Sequence, residues 1–393
     1  SCSGGDQPGF DSLGGAAASA GAGDVVLIRA GTYVEVLEPQ TAGAPGASIV
    51  YRAYPGEAPV ITDVDEPAIQ LIGVSHIEIE GLTVRDVLGW GRLEDAHHIT
   101  IREVTFEGAT ATGTTGGLKL VRATQCLIVG NTFDDGNDNV VVQESDRNVI
   151  EANSFHRGRH SLLSVRCSSF NVIRANSFSN PDQKSMEIYD CEGVSDAPVR
   201  YDATHRNLIE DNLFILTLAT DRDHRYNAIQ YAGQEGIVRR NLFYDNAGGG
   251  LAFQVYPDEA LVNYGHRVYH NTFVDNRCHA IIASGDVSDE YFGSLVVANL
   301  LFRNVDCSGG AAQINIQNTE AVVLRDNAIV DADPGFVDAD GRDLALAEGS
   351  PMVDAAPFLT VTVGAGSGTT LAVADAMPFF DGGGVEGQVG DLI

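Results

Sequence analysis

The sequence predicts an all-β protein of one architecture, a right-handed parallel β-helix, and three observations carry that prediction. The first is a repeated unit: Leu127-Ile128-Val129-Gly130-Asn131-Thr132-Phe133 is matched by Val149-Ile150-Glu151-Ala152-Asn153-Ser154-Phe155 and by Val172-Ile173-Arg174-Ala175-Asn176-Ser177-Phe178. Its Asn-x-Phe core returns at Asn212, Asn241 and Asn271 and fades at Asn299 and Asn327, at intervals of 22 to 36 residues. The second is a companion alternating run in each unit, as in Gly117 to Arg122, Asn139 to Glu144, Ser161 to Arg166, Ser185 to Asp190 and Ala228 to Tyr231. The third is composition: 44 Gly and 13 Pro among 393 residues mean many turns and few long helices. Short β-branched strands at such a period cannot bury a face alone and must stack. A leucine-rich repeat would need a strict Leu frame and a helical half-repeat, and both are missing.

Residues 1–10 read as a flexible tether, and residues 11–357 as the β-helix. Ser12 to Ala20 is expected to form a short helix closing the N-terminal end of the core. Gly23-Asp24-Val25-Val26-Leu27-Ile28-Arg29-Ala30-Gly31-Thr32-Tyr33 follows as a first coil, and Ile77 to Val84 and Ile99 to Phe106 as two degenerate ones. Asn after an apolar pair suits a turn that tolerates the left-handed region, and stacked Asn amides can bond along the ladder. Asn131, Asn153 and Asn176 are therefore expected at one corner, with Phe133, Phe155 and Phe178 inward. From 358 to 393 the period breaks, and two alternating runs, Leu359 to Val363 and Thr370 to Val373, predict the start of a small β-module. With its N-terminal cap, its first coil and the closing segment from Asp333-Pro334-Gly335-Phe336-Val337 to Gly349-Ser350-Pro351-Met352-Val353-Asp354, the chain resembles the pectate-lyase-like β-helix superfamily over residues 11 to 355. Tyr51-Arg52-Ala53-Tyr54-Pro55-Gly56 is similar to a segment of its secreted bacterial members. Such motifs specify fold far better than function.

Charge narrows the function. With 24 Lys+Arg against 54 Asp+Glu the net charge is −30, which excludes a nucleic-acid binder working by charge attraction. No apolar run approaches the roughly 18 residues that span a bilayer. The start, without Met, basic segment or apolar signal core, reads as a processed form. Ser1-Cys2-Ser3-Gly4-Gly5-Asp6 resembles the start of a mature bacterial lipoprotein, which implies a lipid anchor at Cys2; a free or disulfide-bonded terminal Cys is the alternative. The resemblance implies a secreted or cell-surface bacterial protein, expected to be a monomer. Cys167 and Cys191 follow aligned strands, so about 4.8 Å of stack separates them, which suits a disulfide. Cys278 and Cys307 could pair by the same logic, and reduced cysteines stacked in the core are the alternative. No His/Cys cluster suggests zinc. The acidic groups at Asp134 to Asp138, Asp221 to Asp223 and Asp338 to Asp343 lack the spacing of a calcium loop and read as solvated turns, with calcium left open as a cofactor.

The most informative feature is a concentration of bases. Aligning the runs places Leu118, Val140, Leu162, Met186 and Ile229 inward, with Lys119, Val141, Leu163, Glu187 and Gln230 outward. Val121, Gln143, Val165 and Tyr189 follow two steps on, and Arg122, Glu144, Arg166 and Asp190 form a strand-end column. Arg157, Arg159, His160 and Lys184 fall nearby, so both lysines of the chain lie in this patch. One reading is a ladder of alternating charge. The other is a cleft binding and cleaving a polysaccharide, with excursions at Gly193 to His205 and Leu218 to Tyr226 walling one side. Lys119, Arg122, Gln143, Arg157, Arg159 and Gln230 would bind the glycan; Arg166, Lys184, His160, Glu187, Tyr189, Asp190 and Glu144 would do the chemistry. In a lyase acting by β-elimination, a cation neutralises the uronate carboxylate and His160, Tyr189 or Lys184 moves the proton. The superfamily's alginate and chondroitin lyases place Lys and Arg on adjacent coils near this column, whereas here it holds Arg166 without Lys. In an inverting hydrolase, carboxyls about 6.5 to 9.5 Å apart do the work. Glu144 and Asp190 stand about 9.6 Å apart by coil spacing, and Glu187 and Asp190 about 10 Å along one strand. A non-catalytic glycan-binding or adhesin-like β-helix is the third reading.

Overall fold

A computed structural model describes residues 9–111, 116–189, 204–215, 226–254, 263–284, 293–316, 322–364 and 369–391. Each repeat folds as one coil of a right-handed parallel β-helix with three faces. The first face is a sheet of 12 strands, from Val25–Ile28 to Val322–Arg325. The second and third faces join into one sheet of 20 strands, because Thr132–Gln143 and Ser154–Arg166 run through the corner without a break. Gly136 permits this passage, since a Cβ there would come within 2.9 Å of the Trp90 ring. All pairings between named strands are parallel except Phe336–Asp338 with Asp343–Leu346 near the C-terminal end.

The core is a file of stacked rings. Phe106, Phe133, Phe155, Phe178, Phe214, Phe243 and Phe273 follow one another at centroid distances of 4.5 to 5.0 Å, and all are fully buried. The N-terminal end is closed by the helix Leu13–Ser19, which buries Leu13, Ala16 and Ala17. Two devices satisfy its free amides: Ser12 Oγ accepts from Gly15 N, and the Glu35 carboxylate accepts from Leu13 N at 2.9 Å.

The expected Asn ladder forms and runs through Asn131, Asn153, Asn176, Asn212, Asn241, Asn271, Asn299 and Asn327, each Nδ2 donating to the next Oδ1 at 2.9 to 3.0 Å. Its logic differs in one respect from the sequence reading. The left-handed residue is the one before each Asn, including Ala152, Ala175, Asp211 and Arg240 with φ between 54° and 56°. Each such residue costs about 1–2 kcal/mol. Each Asn offsets this, as Asn153 does: it donates to Ile128 O and Asn176 Oδ1, and its Oδ1 accepts Asn131 N. Three bonds at about 0.5–1.5 kcal/mol each outweigh the strain. Two further ladders went unread in the sequence, Asn148–Asn171–Asn207 and Asn246–Asn276–Asn304–Gln313.

The C-terminal segment differs from the expected β-module. Its two alternating runs meet in a single antiparallel bridge, Thr362 to Val373, and residues 377–391 lie back along the first face. Phe380 and Val385 cover the outward-facing Val149, Val172, Leu208, Ile237, Tyr269 and Val297, an apolar column that would otherwise meet water. Arg239, 5% exposed, fastens this strap through Asp391, Glu210 and Tyr269. The Cys278–Cys307 disulfide is present. Cys167 is also disulfide-bonded, and its expected partner Cys191 lies outside the described residues.

Candidate active site

The charged patch forms where the second face turns into the third, and a one-residue insertion decides what meets there. The strand Ser154–Arg166 holds 13 residues against 12 in Thr132–Gln143, and the register shifts between Gly136 and Asp138. Leu163 rather than Leu162 therefore stands in the inward column with Val140 and Met186, and Ser164 rather than Leu163 joins Val141 and Glu187. Arg166 leaves the expected strand-end column and aligns with Gln143 and Tyr189. A slip of one residue reverses the face of every side chain beyond it, so the aligned columns read from the sequence fail on this coil.

The charge ladder expected from Arg122, Glu144, Arg166 and Asp190 does not form among the described residues. Arg122 pairs with Asp95 and Glu94 at 2.7 Å, Glu144 accepts from Gln143 at 3.4 Å, and Asp190 lies outside the described residues. Arg157 is tied to Asp134, and Arg159 donates to Ala109 O. Both loop excursions, and with them Asp221 and Asp223, fall largely outside the described residues.

Two buried carboxylates organise what remains. Asp138, 2% exposed, was read as part of a solvated acidic turn; the unbroken strand instead carries it into the corner, in register with Ser161 and Lys184 on the next two coils. Glu187 is fully buried. Its Oε1 accepts from Lys184 Nζ and from the Tyr189 hydroxyl, and its Oε2 accepts from Ser161 Oγ at 3.2 Å. Asp138 Oδ1 binds His160 Nδ1 at 2.7 Å and accepts Ser161 N at 3.1 Å. Arg166 bridges the pair, with its guanidinium 3.9 Å from Asp138 and 3.7 Å from Glu187.

Lys184 is 5% exposed and points at Glu187, with its ammonium 5.8 Å from the Tyr189 ring centre and 5.7 Å from that of Tyr226. Its ammonium is thus directed into the protein at Glu187 rather than outward from the strand as its sequence position suggested. The groups turned toward solvent are His160 and Arg166, whose side chains are 32% and 25% exposed, with Tyr189, Lys119 and Gln143 half-buried beside them. Lys119 stands in register with Arg92 on the coil before it, and its pKa is lowered by burial and by the Arg92 and Arg166 charges. Gln230 continues the Glu187 column and is buried.

The bond to Asp138 assigns the His160 proton to Nδ1, which leaves Nε2 to accept one. Ser161 Oγ lies 3.3 Å from the same Nδ1, so this Ser, His and Asp cannot work as a nucleophilic relay, which needs both ring nitrogens. Five of the seven residues expected to do chemistry are thus together: Arg166, Lys184, His160, Glu187 and Tyr189. Sequence reasoning missed Asp138, Ser161, Ser164 and Arg92. The available signal was the extra residue in one coil, visible as Phe133 to Gln143 against Phe155 to Arg166.

Residues 67–199 match the family of right-handed β-helix regions. The uncharacterized protein YwoF of Bacillus subtilis (strain 168) is 23% identical over 320 residues, covering 75% of this chain and 64% of that protein. A GH136 lacto-N-biosidase from Eubacterium ramulus superposes with a TM-score of 0.61 at 13% identity, covering 82% of this chain and 65% of the other. This chain therefore spans a little under two thirds of either. A mannuronic acid specific family 6 polysaccharide lyase from human gut microbiota gives 0.52 at 16% identity, over 86% and 90% of the two chains. The A-module of a mannuronan C-5 epimerase from Azotobacter vinelandii gives 0.51 at 15%, over 78% and 87%. Repeat, ladders and superpositions agree on the fold: this chain is a right-handed parallel β-helix, and residues 67–199 carry the match to the family of such regions.

Proposed function

We propose that this protein is a secreted or cell-surface carbohydrate-active enzyme that cleaves a uronate-containing polysaccharide by β-elimination. One observation carries the choice. A hydrolase must present a carboxyl group to the glycosidic oxygen, whereas Asp138 and Glu187 are buried with their oxygens engaged by Lys184, Tyr189, Ser161 and His160. Among the described residues, the groups that this corner turns toward solvent include an imidazole, a phenol and cations, the set that elimination needs. Arg166 and Lys119 would neutralise the uronate carboxylate and so acidify the C5 proton. His160 Nε2 takes that proton, the C4–O bond breaks as the C4=C5 double bond forms, and Tyr189 protonates the departing oxygen. Lys184 and Glu187 position Tyr189, and the Lys184 ammonium, 3.4 Å from the hydroxyl, supports the phenolate that forms. The solved neighbours include a lyase and an epimerase of mannuronate polymers, chemistries that both begin with C5 proton removal, and this supports the reading. The test is a panel of uronate and neutral polysaccharides scored for ultraviolet absorbance of unsaturated uronate and for new reducing ends. Both signals should rise together on a uronate polymer; reducing ends without absorbance would replace elimination by hydrolysis.

A further inference from the structure

Away from the cleft, the structure gathers three metal-ligating side chains that sequence spacing did not reveal. The donor atoms of Cys278, His279 and Cys307 all lie within 4.8 Å of one another. Cys278 and His279 are buried, while Cys307 is exposed at the rim, so the group is reachable from one side. His279 occupies the left-handed region, with φ 68°, a conformation that costs a non-glycine residue about 1–2 kcal/mol. That backbone sets its ring against the sulfurs, with Nδ1 3.6 Å from Cys307 Sγ. In a tetrahedral zinc site, bonds of about 2.3 Å to thiolate and about 2.0–2.1 Å to imidazole put sulfur and nitrogen roughly 3.6 Å apart.

The scaffold holds these donors without help from the disulfide. Asn276 and Asn304, two and three residues before the cysteines, are joined at 2.7 Å, and His279 N donates to Val305 O at 2.7 Å. Ala280 N donates to Gln313 O at 2.7 Å. Breaking the sulfur–sulfur bond therefore leaves both coils in register. The neighbouring Asp306 carboxylate accepts from Ser308 N and Gly310 N through Oδ1.

We propose that, once the disulfide is reduced, Cys278, His279 and Cys307 form a three-ligand site for a thiophilic divalent cation of the zinc class. The disulfide and the metal site are then mutually exclusive states of the same two sulfurs. In reduction by a phosphine, the S–S bond breaks, the phosphine takes oxygen from water and becomes its oxide, and the two hydrogens of that water appear on the sulfurs. Binding of the cation then displaces both thiol protons.

The experiment titrates cobalt(II) into the full chain, oxidised and phosphine-reduced, and records the thiolate-to-cobalt charge-transfer band and the visible bands of tetrahedral cobalt. One equivalent should bind the reduced protein and none the oxidised one. Cys278→Ser/Cys307→Ser should abolish the bands while keeping Cys2, Cys126, Cys167 and Cys191. His279→Asn, which tolerates the left-handed backbone, should weaken binding at least about tenfold. The exposed single variant Cys307→Ser gives the same test if the double variant does not fold. Absence of the bands in reduced protein, their persistence in the cysteine variants, or full affinity in His279→Asn would each overturn the proposal.

Discussion

His160 and Lys184 show how burial separates two basic residues that look alike in the sequence. On the elimination reading, His160 and Arg166 meet the substrate, and His160→Ala or Arg166→Ala should lower turnover by about 10²- to 10⁴-fold, with a smaller loss of stability than removal of a buried cation because both side chains are partly exposed. Lys184→Met should behave differently, because it strands a fully buried Glu187. Losing one partner of a buried pair costs roughly 3–5 kcal/mol, so this variant should lose both activity and stability in urea denaturation. Equal stability of Lys184→Met and Arg166→Ala would contradict the geometry. A second residue-scale prediction concerns His266, which burial pushes down from 6.5 to about 3. Its ring accepts Gly236 N and contacts Asn263. A lowered pKa means that the unfolded state binds more protons, so stability falls as pH drops from about 6.5 towards 3. Among otherwise folded variants, His266→Gln should flatten that part of the stability profile, as read by denaturant midpoints across pH.

At the scale of the element, the corner ladders explain why a chain so strongly acidic keeps its coils in register. Asn176→Ala removes the acceptor used by Asn153 N and Asn153 Nδ2, and the donor to Ile150 O. Two buried donor hydrogens left unpaired, at about 1–3 kcal/mol each, predict a loss of about 2–6 kcal/mol. Asn327→Ala, at the half-buried last rung, should cost well under half as much, and a comparison of urea midpoints checks the ratio. These corners were also the most legible part of the sequence. Asn-x-Phe repeats because both side chains stack on their own kind, so a periodic structure leaves a periodic trace. The cleft leaves none, since its residues differ from coil to coil by design of the site. Lys184, Glu187 and Tyr189 were visible as an unusual strand, but Asp138 was hidden in an acidic run and Arg166 was assigned to the wrong column. The first misreading comes from a strand that runs unbroken through the corner, the second from the single extra residue in Ser154–Arg166, whose register only packing against its neighbours resolves.

For the whole molecule, the strap and the cleft divide the faces between stability and chemistry. Ending the chain at residue 374 would uncover Val149, Val172, Leu208, Ile237, Tyr269 and Val297 and unpair Arg239 from Asp391. That variant should melt earlier and bind a hydrophobic dye in its native state, yet keep its turnover per folded molecule, because the cleft lies where the other two faces meet. Loss of activity at temperatures where it remains folded would place part of the site under the strap. The central claim, that this cleft eliminates rather than hydrolyses, is tested most directly by the mass of the product. A uronate polymer cleaved in water enriched in ¹⁸O should yield oligosaccharides whose new non-reducing end is one water lighter than a hydrolytic product, with no ¹⁸O introduced by the cleavage step. Saturated ends with one ¹⁸O incorporated for each bond broken would contradict it and return Glu144, Glu187 and Asp190 to the roles of acid and base.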